Sequence, residues 1–386
     1  MTINIEQQVA LLCAQLTATA VARDKSGGHA AHERELIRAS GLLTLAIPRR
    51  FGGLGQSWRT TLDVIRRIAE VDSSMAHLFA FQHLQVASII FFGSEEQQAD
   101  LLSRTVQQRW FWGNALNPAD NRSQAIELDE GILVNGLKSF CSGARGADSL
   151  LVSAHLECGK FLVGAIPADR QGVQIDTDWD AIGQRQTDSG TVRFSDVFIE
   201  HDELLLEPGP NGSPFASLRA CLAQSILVNI YLGLAQGAYA AAREYTLTKR
   251  RPWVNSDVSS AAQDPYVLHR FAELWLQLRT ATVFADAAAD KLDAAWNKGD
   301  ALTADERGDV AVAMAEAKIF AHRASLDIGT QLFDVAGAGA AQSALGFDRF
   351  WRNARTHTLH DPLDYKLRDL GNWALNGVYP IPTSYS

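Results

Sequence analysis

The chain has 386 residues, of which 47% are apolar and 20% charged, with a formal net charge of −9 at pH 7. That length carries two or three domains with sizeable cores, and the apolar share is that of an ordinary soluble globular protein. The acidic balance, without any lysine-rich face, excludes nonspecific binding to nucleic acid or to an anionic membrane, because counterion release needs clustered cations.

Residues 1–108 read as a helical domain. Apolar residues recur at helical spacing over residues 5–24, and a second helix over 32–40 ends at Gly41. No basic region precedes the first of these, and no run in the chain reaches membrane-spanning length without polar interruption. The turn-rich stretch IPRRFGGLG leads to an amphipathic helix over 60–71 and then to a nearly all-apolar one over 74–92. On that helix His77, Phe81 and Gln85 lie four apart on one stripe, with Gln82 and His83 beside it. Polar groups there face something inside, although a buried histidine is also commonly satisfied by a nearby carbonyl. Ser94 and Gln97 form a capping box for a short helix to about residue 103.

Residues 109–208 change period to strand alternation. AIELDEGILV contains a tight Asp129-Glu130-Gly131 turn, SLLVSAHL and KFLVGAI pair across residues 157–159, and GTVRFSDVFI is a further strand, which predicts an antiparallel β domain. Between the strands lie two polar, glycine-bearing segments, WFWGNALNPADN and GLKSFCSGARGAD, able to aim backbone N–H groups at an anion or a flat ring, or simply to turn the chain. Neither matches a dinucleotide or P-loop fingerprint, so no nicotinamide-binding domain is expected. Cys13, Cys141, Cys158 and Cys221 show no CxxC spacing, which excludes the usual zinc site and fits a reducing, cytoplasmic location.

Residues 209–386 predict a four-helix bundle: long helices over 213–249, 264–297 and 303–335 and a last one after Pro362, with Asp361 as its cap. Residues 223–242 are apolar on every face, so that helix is either central or covered by another subunit, and oligomerisation is the favoured reading. Residues 346–366, GFDRFWRNARTHTLHDPLDYK, collect Arg349, Arg352, Arg355, His357 and His360. The two histidines precede a capped helix, which would set them at the mouth of a structure; an arginine-laced exposed helix is the plain alternative.

Taken in order, α+β with a helical domain, a β domain and a bundle, the chain resembles the acyl-CoA dehydrogenase fold over nearly its whole length. The matching pieces are IPRRFGGLG, NALNPAD, KSFCSG, AIGQRQTDSGTVRFSDVFI and DRFWRNAR. Within that fold it is most similar to the flavin-dependent monooxygenase branch typified by dibenzothiophene monooxygenases, in NGLKSFCSGARGAD, GQRQTDSG, AREYT with RPW, GFDRFWRN and RTHTLHDP.

A dehydrogenase of this fold needs a carboxylate to remove an α-proton from a thioester. Here the usual place after the arginine helix reads Thr358-Leu359-His360-Asp361, and no Asp or Glu occurs between Pro208 and Arg243. Unless Asp361 takes over, that base is absent. The resemblance implies instead a two-component monooxygenase that forms a flavin C4a-hydroperoxide from O2 and oxygenates a sulfur-containing small molecule, heteroaromatic or not, an FAD-dependent acyl-CoA dehydrogenase being the alternative. Reduced FMN, preferred to FAD, would come from a separate NAD(P)H-dependent flavin reductase, and the assembly would be a homotetramer.

The resemblance places His77, Ser142, His357 and His360 in the chemistry. It places Phe81, Asn114, Arg251, Ala338, Gly339, His360 and residues Lys138, Ser139, Phe140, Cys141 and Ser142 against the cofactor, with Arg251 reaching a phosphate in the neighbouring subunit. No metal is expected. Trp110, Trp112, Phe81 and Phe140 are candidates for an aromatic substrate pocket or for ordinary core.

Overall fold

The computed structural model describes residues 4–386. Five helices open the chain: α1 (Ile5–Ser26), α2 (Ala31–Ala39), α3 (Trp58–Val71), α4 (Ser73–Phe92) and α5 (Glu95–Gln108). Each start has a local cause. Asn4, Ser57 and Asp72 accept backbone N–H bonds at the beginnings of α1, α3 and α4, and the expected Ser94–Gln97 capping box opens α5, which runs past residue 103 to Gln108.

The sheet contains β1 (Trp112–Ala115), β2 (Gln124–Leu128), β3 (Gly131–Lys138), β4 (Ser149–Leu156), β5 (Phe161–Pro167), β6 (Val173–Ile175) and β7 (Val192–Glu200). The hairpin at Asp129-Glu130 forms as expected, and so does the β4–β5 pair. The sheet is mixed, however, and not antiparallel throughout: β1 and β2 both run parallel to β4 along one of its edges. The reason lies in β3, whose two edges are already taken by β2 and β7. The segment between β3 and β4 therefore crosses over, and β4 finds its partners in β1, β2 and β5.

The C-terminal part holds α6 (Pro214–Thr248), α7 (Pro265–Trp296), α8 (Ala304–Ala336), α9 (Asp348–His357) and α10 (Leu363–Asn376). Ser213 and Asp264 cap α6 and α7, each with proline as first helical residue, and Thr303 with Glu306 makes the capping box of α8. α10 departs from expectation. It is entered through Pro362 with no side-chain cap, because the Asp361 carboxylate is engaged elsewhere.

α6 is the axis of the helical part. It packs on α3, α4, α7, α8 and α9, so that the apolar surface of residues 223–242 is met within one protomer and does not itself require another subunit. α4 and α6 are both long and apolar enough to cross a membrane, contrary to the sequence expectation, yet 89% of each apolar window is buried inside the fold. Helices from before residue 109 and after residue 208 share one hydrophobic core, and the sheet has its own. Uncovered apolar side chains include a group on α7 and the connector before it: Trp253, Val254, Tyr266, Trp275 and Leu276 are each more than half exposed.

Candidate active site

The site grows from the α4 stripe. Residues four apart on a helix stack above one another, and here the ring of His77 lies parallel to that of Phe81 with centroids 4.1 Å apart. One turn on, Gln85 Nε2 donates to Asn114 Oδ1 at 3.0 Å, tying α4 to β1. Asn114 in turn donates from its backbone N to Ser142 O at 3.0 Å and from Nδ2 to Phe140 O. Three side chains on one helical face thus position both the imidazole and the loop that follows β3. Gln85 was visible in the sequence as the third member of the stripe, but its bond to Asn114 needs the tertiary contact. His83, on another face, is fully buried with its ring edge-on to Phe79, and burial pushes it down to about 3.

The loop 138–143 sorts its side chains between scaffold and site. Lys138 Nζ turns inward and donates to the carbonyls of Asn117 and Asp120. Ser139 binds the Asp120 carboxylate through both its N–H and its hydroxyl, and Cys141 is buried with Sγ against Lys138 O. Burial pushes the Cys141 thiol up to about 12, which removes it as a nucleophile. Phe140, at φ 58°, projects outward and is 62% exposed. Of the five, the side chains of Lys138, Ser139 and Cys141 are thus engaged within the protein.

Ser142 carries a feature that the motif alone did not reveal. Its Oγ lies 2.7 Å from Ser189 Oγ, which lies 2.7 Å from Thr187 Oγ1, whose hydroxyl donates to Gln184 O at 3.0 Å. Three contacts with three hydrogens are all satisfied in one direction: Thr187 to the carbonyl, Ser189 to Thr187, Ser142 to Ser189. Ser142 Oγ is left with its lone pairs as an acceptor. Ser189 and Thr187 belong to the GQRQTDSG segment, so the composition was on view while the chain of contacts was not.

The third component comes from α9 and the turn after it. His357 is the last residue of α9 and is buried, not placed at a mouth. Its Nε2 lies 3.1 Å from His77 Nδ1, and its carbonyl accepts the Tyr231 hydroxyl at 2.9 Å. Burial first, then the charge of His360, pushes His77 down to about 3. Burial, with His77, His360 and Lys318 adding to it, holds His357 well below the ordinary imidazole value. The two rings are therefore a neutral pair sharing one N–H, and the outer atoms His77 Nε2 and His357 Nδ1 are buried without a protein partner. His360, more open to solvent, donates from Nδ1 to Asp361 Oδ1 at 3.1 Å.

Other candidates lie elsewhere. Arg352 clamps α9 to α1 through Asp24 at 2.5 Å and to the sheet's loop through Ile182 O, so the arginine run is chiefly a fastening. Trp112 is core, with Nε1 on Thr105 Oγ1, and half-buried Trp110 stacks under Arg104. Ala338 and Gly339 share one turn away from these groups: Gly339 sits by Tyr245, 14 residues along α6 from Tyr231, or roughly 21 Å at 1.5 Å per residue. The carbonyls closing α8 are bound by Arg250, which frees Arg251 from that role; it makes no hydrogen bond or ion pair among the described residues.

Residues 5–109 match the acyl-CoA dehydrogenase N-terminal domain and residues 225–365 the acyl-CoA dehydrogenase C-terminal domain. The chain belongs to the acyl-CoA dehydrogenase family. Within it, the chain falls in the flavin-dependent monooxygenase branch. It is 49% identical over 377 residues to the Pseudomonas putida protein named "Probable FMNH2-dependent monooxygenase SfnC", covering 97% of this chain and 95% of the relative. It is 44% identical over 383 residues to a dibenzothiophene monooxygenase of Mycolicibacterium goodii, covering 94% and 92%. Among solved structures, the methanesulfinate monooxygenase MsuC of Pseudomonas fluorescens superposes with a TM-score of 0.97 at 48% identity, covering 98% of this chain and 99% of that one.

The residues of this family member fit a reduced flavin. Such a ring presents an N–H at N5, and Ser142 Oγ is an acceptor with no other hydrogen to receive. The orphaned His77 Nε2 offers a second polar contact in an otherwise closed site.

Proposed function

We propose that this chain is a reduced-FMN-dependent monooxygenase that transfers one oxygen atom from O2 to the sulfur of a small organic molecule. The observation that carries the reading is a neutral His77–His357 pair next to the turn Thr358-Leu359-His360-Asp361, where a dehydrogenase of this fold would need a free carboxylate. The one nearby carboxylate, Asp361, already accepts from both Lys318 and His360 and is not free to act as a base.

Bound reduced flavin would supply the electrons that activate O2, one oxygen going to the sulfur and the other leaving as water. The chain's own part is then electrostatic and protonic. Ser142 accepts from the ring and, with the Asn114 bonds, fixes the loop against it; the His77–His357 pair hydrogen-bonds without adding charge to a closed site; His360, reachable from solvent, supplies a proton. A dry and neutral environment also opposes wasteful release of hydrogen peroxide.

A separate NAD(P)H-dependent reductase supplies the flavin in this reading, since no dinucleotide-binding fingerprint is present in the sequence. The exposed apolar side chains of α7 and the unpartnered Arg251 support a homotetramer in which Arg251 serves a neighbour's phosphate. Four free cysteines support a cytoplasmic location.

The test is a mass-spectrometric screen of alkyl sulfinates, sulfones and fused thiophenes with NADH, FMN and a flavin reductase under 18O2. Product carrying one 18O per turnover, dependent on the reductase, is expected. Bleaching of bound flavin by an acyl-CoA without any reductant would sink the reading.

A further inference from the structure

Asp361 precedes Pro362 and α10, where a carboxylate ordinarily caps a helix, and it does not cap. Its side chain is turned inward, and Oδ1 accepts from two donors, His360 Nδ1 at 3.1 Å and the Lys318 ammonium. Lys318, on α8, is 1% exposed and donates its other bond to Gln224 on α6. A buried cation against one carboxylate and one amide is a satisfied unit, held between two helices that pack on each other. Burial alone would raise the Asp361 carboxyl, but the His360 hydrogen bond and the Lys318 charge outweigh it and hold the group below the ordinary carboxylate range.

An ionised carboxylate can only accept. In the neutral ring, His360 must therefore carry its hydrogen on Nδ1 and leave Nε2 bare, so the tautomer is imposed by the neighbour. The backbone adds a second constraint. His360 N donates to His357 O at 3.1 Å, and the same carbonyl accepts the Tyr231 hydroxyl. Asp361, Lys318, Gln224 and Tyr231 thus hold one imidazole from two helices and a turn.

We propose that Asp361, backed by Lys318 and Gln224, is a positioning residue that sets the tautomer and direction of His360, so that Nε2 is the atom that gives and regains the proton. This rests on the reading of His360 as proton donor. When the ring is charged both nitrogens carry hydrogen, and release from Nε2 leaves the Nδ1–H bond to Asp361 intact. A proton from solvent then returns to Nε2.

The experiment is solid-state 15N NMR of histidine-labelled apoprotein, at a pH where the ring is neutral, with the His360 signals assigned by difference against His360→Gln. The parent should show a protonated Nδ1 and a bare Nε2. In Asp361→Asn the amide can accept or donate, so the Nε2–H form should appear. Lys318→Met with Asp361→Asn removes the unpaired buried cation should the single variant fold poorly, and it should show the same change. In turnover, both variants should release about tenfold more hydrogen peroxide per product with the sulfur substrate's KM unmoved, the usual scale for losing a histidine's orienting partner. A bare Nδ1 in the parent, an unchanged tautomer in a folded variant, or an unchanged peroxide ratio despite a flipped tautomer would each overturn the proposal. The tautomer is read without flavin or substrate, so failure of the sulfur-oxygenation reading leaves that measurement standing.

Discussion

His77 Nδ1 and His357 Nε2 meet at 3.1 Å inside the protein, joining residues 280 positions apart through one shared hydrogen. The bond links the first helical segment to the arginine helix and places two neutral imidazoles where charge would be costly.

That neutrality makes stability depend on pH with a definite sign. Both folded values lie below the ordinary imidazole value of 6.5, that of His77 at about 3. Between those limits the unfolded chain binds protons that the native rings refuse, so stability is full above 6.5 and is lost as pH falls from there. The slope is about 1.4 kcal/mol per pH unit for each ring protonated only in the unfolded state. Urea unfolding from pH 7 to pH 5 should therefore be less steeply pH-dependent in His77→Gln/His357→Gln than in the parent, by roughly two protons' worth. Equal slopes would mean that the rings are not buried neutral.

Ser142→Ala and His360→Ala should fold normally, because the first side chain sits in a loop and the second is partly open to solvent. Reduced FMN should still be oxidised by O2. Product per reduced flavin should fall on the order of a hundredfold and hydrogen peroxide should rise, as for loss of one hydrogen bond made at the reacting centre. Normal product yield in both variants at saturating FMN would show that these residues do not serve the chemistry.

The hydroxyl chain predicts a preference between redox states. Accepting from a reduced ring keeps all three contacts among Ser142, Ser189, Thr187 and Gln184, whereas donating to an oxidised ring forces the chain to reverse and abandons one of them. One hydrogen bond is worth about 1 kcal/mol, which corresponds to roughly fivefold in affinity. Anaerobic titration should find reduced FMN bound more tightly than oxidised FMN, and Thr187→Val, which deletes the end of the chain, should shrink that ratio. An unaltered ratio would dissociate Ser189 and Thr187 from flavin binding.

Assembly and phosphate binding are testable together at Arg251 and α7. Trp275→Glu with Leu276→Asp should convert a tetramer to smaller species by light scattering. Arg251→Ala should leave the assembly whole and weaken FMN binding about tenfold, the scale of one charge-assisted hydrogen bond. A parent protein that is monomeric yet binds FMN tightly would exclude a phosphate site shared across subunits.

Helix boundaries were legible in the sequence because their determinants are local. Ser94, Ser213, Asp264 and Thr303 each reach N–H groups only two or three residues away, and His77, Phe81 and Gln85 share a face by helical repeat alone. The motifs likewise carried the family likeness, since GLKSFCSGARGAD and RTHTLHDP are among the pieces that match the family. What only the tertiary structure decided are relations whose partners are distant in the chain. The parallel pairing of β1 and β2 with β4 depends on β3 having both edges occupied. The burial of α6 depends on five other helices wrapping one protomer. Asp361 looks like a cap from its neighbours in sequence, yet it turns to Lys318, 43 residues away, and to His360, because a buried ammonium binds a carboxylate far more strongly than does an exposed helix end. Local rules choose where elements begin; competition among distant partners for the same polar atom chooses what each side chain does.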